Sequence, residues 1–114
     1  MKSTISMLAT VAALVATPAF ADDFTDGLTA IQQEWAVANY QTADKDARGK
    51  AFATLVDHAT SFGKAHAAHA EALAWEGIVL STYAGEVSAM SAMKYAKAAR
   101  DALERAERLN ARAL

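Results

Sequence analysis

The sequence predicts an all-α protein on three observations. Alanine makes up about a quarter of the residues after position 21, valine, isoleucine and threonine are scarce there, and no proline follows Pro18. Apolar residues recur at spacings of three and four. Polar or glycine-bearing segments divide the chain into four such runs. Four antiparallel helices follow, as two stacked helical hairpins or, alternatively, as a four-helix bundle.

Ahead of the first run, residues 1–21 read as a secretory signal. Lys2 carries the only charge, Ile5 to Val15 form an uncharged apolar stretch, and Pro18 precedes the small-x-small triplet Ala19-Phe20-Ala21. The stretch is about half of the roughly 20 residues that a bilayer span needs. Cleavage is expected after Ala21, giving a soluble periplasmic product without stable membrane insertion. No cysteine stands at the cleavage site to take a lipid.

Residues 22–114 then form one domain. With Lys2 removed, 10 basic residues face 13 acidic ones, a net charge of −3. The absence of cysteine excludes disulfides, thiolate metal sites and thioether-linked haem, so packing alone must supply stability. Charge is uneven: residues 22–58 hold seven acids and three bases, residues 94–112 six bases and three acids. A nucleic-acid surface would need a dense basic face interleaved with aromatics, which is lacking. The two regions are expected to be solvated helix faces, or else to attract one another.

The first helix is expected over about Asp23 to Thr42, with Phe24, Leu28, Ile31, Trp35 and Ala38 inward and acids at its start, where the helix dipole favours them. Thr42 or Asp44 offers an N-cap for a second helix from about Lys45 to Ala65, with Phe52, Leu55, Val56, Ala59 and Phe62 inward and Gly63 as a stop signal. A third spans about His69 to Ala84. Its apolar residues Leu73, Trp75, Ile78, Val79, Leu80 and Tyr83 surround the axis, which predicts the central, most buried helix. Gly77 in its middle costs about 1 kcal/mol relative to alanine, which points to a close helix crossing there. Gly85 ends it. A fourth helix, from Ser88 or Ser91 to about Leu109, is expected to turn Met93, Ala96, Ala99, Leu103, Ala106 and Leu109 inward. Its outer face pairs Lys97 with Asp101, Asp101 with Arg105 and Glu104 with Arg108.

Candidate chemistry is sparse. His58, His66 and His69 lie close in sequence, and His66 with His69, joined by Glu71, is the one metal-ligand spacing present. His58 and His66 are two helical turns apart, about 12 Å along a straight axis, so they cannot share one ion on one helix. Met90, Met93 and His58 offer axial-ligand types for a non-covalent haem, but methionines at helical spacing are ordinarily core filler. Trp35, Trp75 and Tyr83 suit either a ligand groove or the core, and core is the simpler reading. No nucleophile-elbow glycines and no H-E-x-x-H spacing occur.

The run Leu73-Ala74-Trp75-Glu76-Gly77-Ile78-Val79-Leu80-Ser81-Thr82-Tyr83-Ala84, followed by Ala99-x-x-x-Leu103-x-x-Ala106-x-x-Leu109-Asn110, resembles a tetratricopeptide-type repeat. The resemblance implies a hairpin contact made by Gly77, Ala99 and Ala106, with Leu103 as the bulky knob between helices. About ten extra residues, roughly Gly85 to Lys94, separate the halves, and the proline expected near Ala111 is missing. Through Gln33-Glu34-Trp35, Thr42-Ala43-Asp44-Lys45-Asp46 and Trp75-Glu76-Gly77-Ile78-Val79-Leu80-Ser81, residues 22–114 resemble the N-terminal portion of a family of secreted proteobacterial tetratricopeptide-like proteins. Members of that family continue into further repeats, so the chain is expected to be a short or truncated member with an uncovered apolar face. The implied role is binding a protein or peptide, with association between copies also open to it. No cofactor, catalysis or nucleic acid is expected. The opposing reading is a small metal or ligand carrier using His58, His66 and His69.

Overall fold

In a computed structural model the described residues are 23–113, and the signal reading at residues 1–21 lies outside them. They form four helices: α1 (Asp23–Tyr40), α2 (Lys45–Ala65), α3 (Ala70–Ala84) and α4 (Ala89–Ala113). The all-α class and the four helices are as the sequence predicts, and no described helix is long and apolar enough to cross a membrane.

Local chemistry sets the boundaries. Asp44 is the N-cap of α2, its carboxylate accepting from the Ala47 backbone N–H at 2.9 Å. Thr42 instead donates its hydroxyl to Val37 O at the end of α1. α2 spans Lys45–Ala65 as expected, with Gly63 two residues before its end. The His66 N–H closes the last turn on Phe62 O. α4 starts directly after Ser88 and continues past Leu109 to Ala113, because Asn110-Ala111-Arg112-Ala113 holds neither glycine nor proline to end it. The residues counted as an insertion are therefore mostly the first turns of α4, and only 85–88 link the helices.

Side-chain contacts give the directions. Phe24 meets Phe62 at one end of the α1/α2 pair and Asn39 meets Arg48 at the other, so the two are antiparallel. Gly63 against Glu76 and Arg48 against Glu86 make α2 and α3 antiparallel. Glu76 with Arg105 and Tyr83 with Tyr95 do the same for α3 and α4. α3 thus runs parallel to α1, packs on both helices of the first hairpin, and makes its most extensive contact with α4. Among the described residues α4 touches α3 alone. A closed four-helix bundle would bring α4 back against α1, so the arrangement is two stacked hairpins with two open flanks.

One core cluster lies between the first hairpin and α3: Ile31, Ala38, Phe52, Leu55, Ala59 and Val79, edged by Trp35, Val56, Phe62, Trp75 and Tyr83. The α3/α4 seam is built from smaller groups, with Ala99, Ala102 and Ala106 buried on α4. Gly77 permits this approach: a Cβ there would lie 2.5 Å from Leu103 Cγ and 3.2 Å from Ala99 O. The expected inner face of α4 is corrected in part. Ala99 and Ala106 are inside, but Leu103 is 42% exposed, Met93 is 74% exposed and Ala96 is on the surface. Where backbones come this close only alanine fits the seam, and the larger side chains are displaced to its edge or beyond.

Candidate functional site

Exposed apolar side chains are concentrated on the two open flanks. Among the described residues the exposed large hydrophobics are Val37 and Tyr40 on α1 and Met90, Met93 and Leu103 on α4, with none on α2 or α3. On α1, Val37 shares with Gln33 and Asp26 the face opposite buried Leu28, Ile31 and Ala38. On α4, Met93 lies with Ala96, Lys97 and Arg100 along a shallow cavity of about 270 Å³. Solvent-facing methionines are adaptable contact groups, since the unbranched thioether conforms to varied partners.

Charge separates the same two flanks. α1 carries Asp23, Asp26 and Glu34 and no base, while α4 carries six bases against three acids. Among the described residues α1 and α4 are not in contact, so no ion pair joins them. On α4, Arg100 pairs with Glu104 at 3.2 Å, and Arg105 reaches off the helix to Glu76 instead of pairing side chain to side chain with Asp101.

The histidines are not gathered at one point. His58 places Nδ1 2.9 Å from Glu34 across the α1/α2 groove, where both side chains are substantially exposed. Ser61 lines the same groove one turn on, but no described hydrogen bond joins it to His58. Mid-helix backbone N–H groups are already used in the helix, so no oxyanion site accompanies this trio. His66 and His69 sit at the α2/α3 corner packed on aromatic rings: His69 stacks on Phe24 at 4.2 Å, and His66 contacts Phe62 at 4.6 Å and Phe24 at 5.2 Å. The described residues hold no group of three or more His, Cys, Asp or Glu side chains placed to ligate a metal, so Glu71 does not complete a site with His66 and His69. Met90 and Met93 face solvent and do not converge with His58.

The aromatic trio lies at the edge of the core. Trp35 and Trp75 meet edge to face at 5.8 Å, and Trp35 Nε1 donates to the Thr82 hydroxyl at 3.2 Å. Tyr83 also pairs with Tyr95 of α4 at 4.7 Å. Of the expected hairpin contacts, Gly77, Ala99 and Leu103 meet directly, and Ala106 is buried two turns beyond Ala99.

Sequence reasoning missed one buried carboxylate. Glu76 is 7% exposed at the junction of α2, α3 and α4, where Gly63 leaves the space its carboxylate fills and Arg105 Nη2 donates to Oε2 at 3.3 Å. Its signal was available: Glu76 is the single charge in the apolar run Leu73 to Leu80. Burial pushes its carboxyl above the ordinary value of 4.5, outweighing the charge and hydrogen bond of Arg105 and the charge of Lys64. With the folded pKa above the unfolded one, the native state keeps this proton to higher pH. The stability Glu76 contributes is full below its unfolded value and lost as pH rises through the folded value. Glu76→Gln keeps an acceptor for Arg105 and removes the buried charge. Thermal melts are expected to show the variant close to wild type at pH 4 and above it at pH 7; a lower midpoint at pH 7 would mean that the ion pair outweighs burial.

A second guanidinium ties the opposite end. Arg48 donates to Asn39 O at 2.6 Å and Asn39 Oδ1 at 2.8 Å, closing the C-terminus of α1, and its Nε meets Glu86 beyond α3 at 3.0 Å.

Comparison with family models, with curated proteins and with solved structures found no match to this chain.

Proposed function

We propose that the chain is an exported, periplasmic, tetratricopeptide-like protein that acts by holding another protein or peptide and has no catalysis of its own. The observation that carries this reading is the placement of the exposed large hydrophobics on the outer flanks α1 and α4, while α2 and α3 carry none. Grouped apolar side chains on otherwise polar helices are the usual mark of a contact surface. Parallel α1 and α3, each backed by an antiparallel helix, supply the hairpin-on-hairpin frame that repeat proteins use for such surfaces. Stability rests on the inner seam, so the flanks are free to vary with a partner.

Photo-cross-linking in the periplasm tests the reading. A photoreactive residue at Met93 or Val37 is expected to give a discrete adduct, and one at Thr54, exposed on polar α2, is not. Absence of any discrete adduct from both flanks would remove the reading. The cleaved leader is checked by the N-terminal sequence of the exported product, expected to begin at Asp22.

A further inference from the structure

The two flanks are complementary to each other, and among the described residues they do not meet. α1 carries three acids and no base, α4 carries six bases and three acids, and the helices are not in contact. Val37 and Tyr40 lie towards the C-terminal end of α1, while Met90 and Met93 lie towards the N-terminal end of α4. An antiparallel pairing of α1 from one copy with α4 from another therefore matches apolar end with apolar end. The same pairing sets Asp23 and Asp26 beside the arginine-bearing C-terminal half of α4.

That step also repeats the packing already present inside the chain. α3 lies antiparallel to α2 and parallel to α1. A second copy's α1 placed against α3 and α4 would stand in the same relation to its neighbours. Leu103, half-exposed beside Gly77, sits at the edge where such a helix would rest.

We infer that the partner of these flanks is a second copy of this chain, docked head to tail with α1 of one molecule on the α3/α4 flank of the next. This rests on the reading of the flanks as contact surfaces and names their occupant. Face-to-face pairing of like flanks is disfavoured, because α4 on α4 sets basic helix on basic helix and α1 on α1 sets acid on acid. A head-to-tail contact leaves one flank of each kind open at the ends, so growth continues until a ring closes. Association should weaken with salt, since the pairing charges are exposed.

The experiment is sedimentation of the purified protein, of Val37→Lys, of Met93→Asp and of an equal mixture of the two variants. Both substituted residues are exposed, so neither change should disturb the fold, which circular dichroism checks. Wild type is expected to grow past two copies with concentration and to revert towards monomer in high salt. Each variant alone is expected to be monomeric, and the mixture to form a complex of two chains through the intact α4 of one and the intact α1 of the other. Monomeric wild type at all concentrations, or a dimer that either variant leaves intact, would overturn the proposal. A discrete cross-link from Met93 to a different protein would overturn this inference while leaving the flank reading standing; no cross-link at all would remove both.

Discussion

Phe52→Ala is expected to lower stability by about 3–5 kcal/mol, the largest effect of any single substitution proposed for this chain. Phe52 is fully buried, belongs to the cluster joining both helices of the first hairpin to α3, and has the Arg48 guanidinium over its ring at 5.4 Å. Truncation removes the transfer free energy of the ring and leaves a void among Ile31, Leu55 and Val79, which rigid neighbouring helices fill only in part. A domain of this size holds on the order of 5–10 kcal/mol in total. The variant should therefore unfold at a much lower urea midpoint with an unchanged slope, its thermal midpoint falling by roughly 15 °C or more. Thr54→Ala, exposed on α2, serves as the control and should stay within about 0.5 kcal/mol of wild type. A loss below about 1.5 kcal/mol at Phe52 would mean that the cluster is not the core.

Gly77→Leu is expected to cost about 3 kcal/mol through overpacking of the α3/α4 seam. Two terms oppose one another. Leucine in place of glycine gains up to about 1 kcal/mol in helix propensity. Against that, even a Cβ would lie 2.5 Å from Leu103 Cγ and 3.2 Å from the Ala99 carbonyl. The Leu103 side chain is partly exposed and can swing away, whereas the backbone of α4 can yield only by moving the whole helix outward. The two contacts are therefore separable. Leu103→Ala is expected to recover most of the loss in Gly77→Ala and little of it in Gly77→Leu, measured as a double-mutant cycle. A thermal midpoint unchanged in Gly77→Leu would remove the assignment of Gly77 to the hairpin contact.

Much of this fold was legible because each signal had a local physical cause. Asp44 could be recognised as a cap from its side chain and position. The Phe52-Leu55-Ala59 spacing marked one helix face, and apolar residues all round α3 announced a helix with neighbours on several sides. What stayed hidden depended on distances between helices. Hydrophobicity ranks Met93 and Leu103 above alanine, so an alanine-rich helix invites the wrong choice of inner face. The close approach at Gly77 reverses that ranking, and Ala99, Ala102 and Ala106 occupy the seam. Gly63 carries no sign in sequence that its missing side chain makes room for a carboxylate from another helix. Glu76 could have been suspected as the only charge in its run, but its partner Arg105 was assigned to a neighbour four residues away. Residue types pointed to a metal at His58, His66 and His69, whereas the exposure and charge that mark α1 and α4 as flanks emerge only once it is known which helices fail to touch.

That α4 rests on α3 alone also governs how the molecule opens. α2 and α3 each pack against more than one helix, so the amides of their buried faces are exposed only when most of the domain comes apart. α4 can leave along a single seam, its detachment opposed by the three alanines, Leu103 and the Glu76–Arg105 pair, with the first hairpin and α3 still assembled. Native-state hydrogen exchange should therefore divide the chain into two cooperative units. Residues 89–113 would exchange through a lower-energy opening than the centre of α2, and occupation of the open flank by a partner would slow that exchange first.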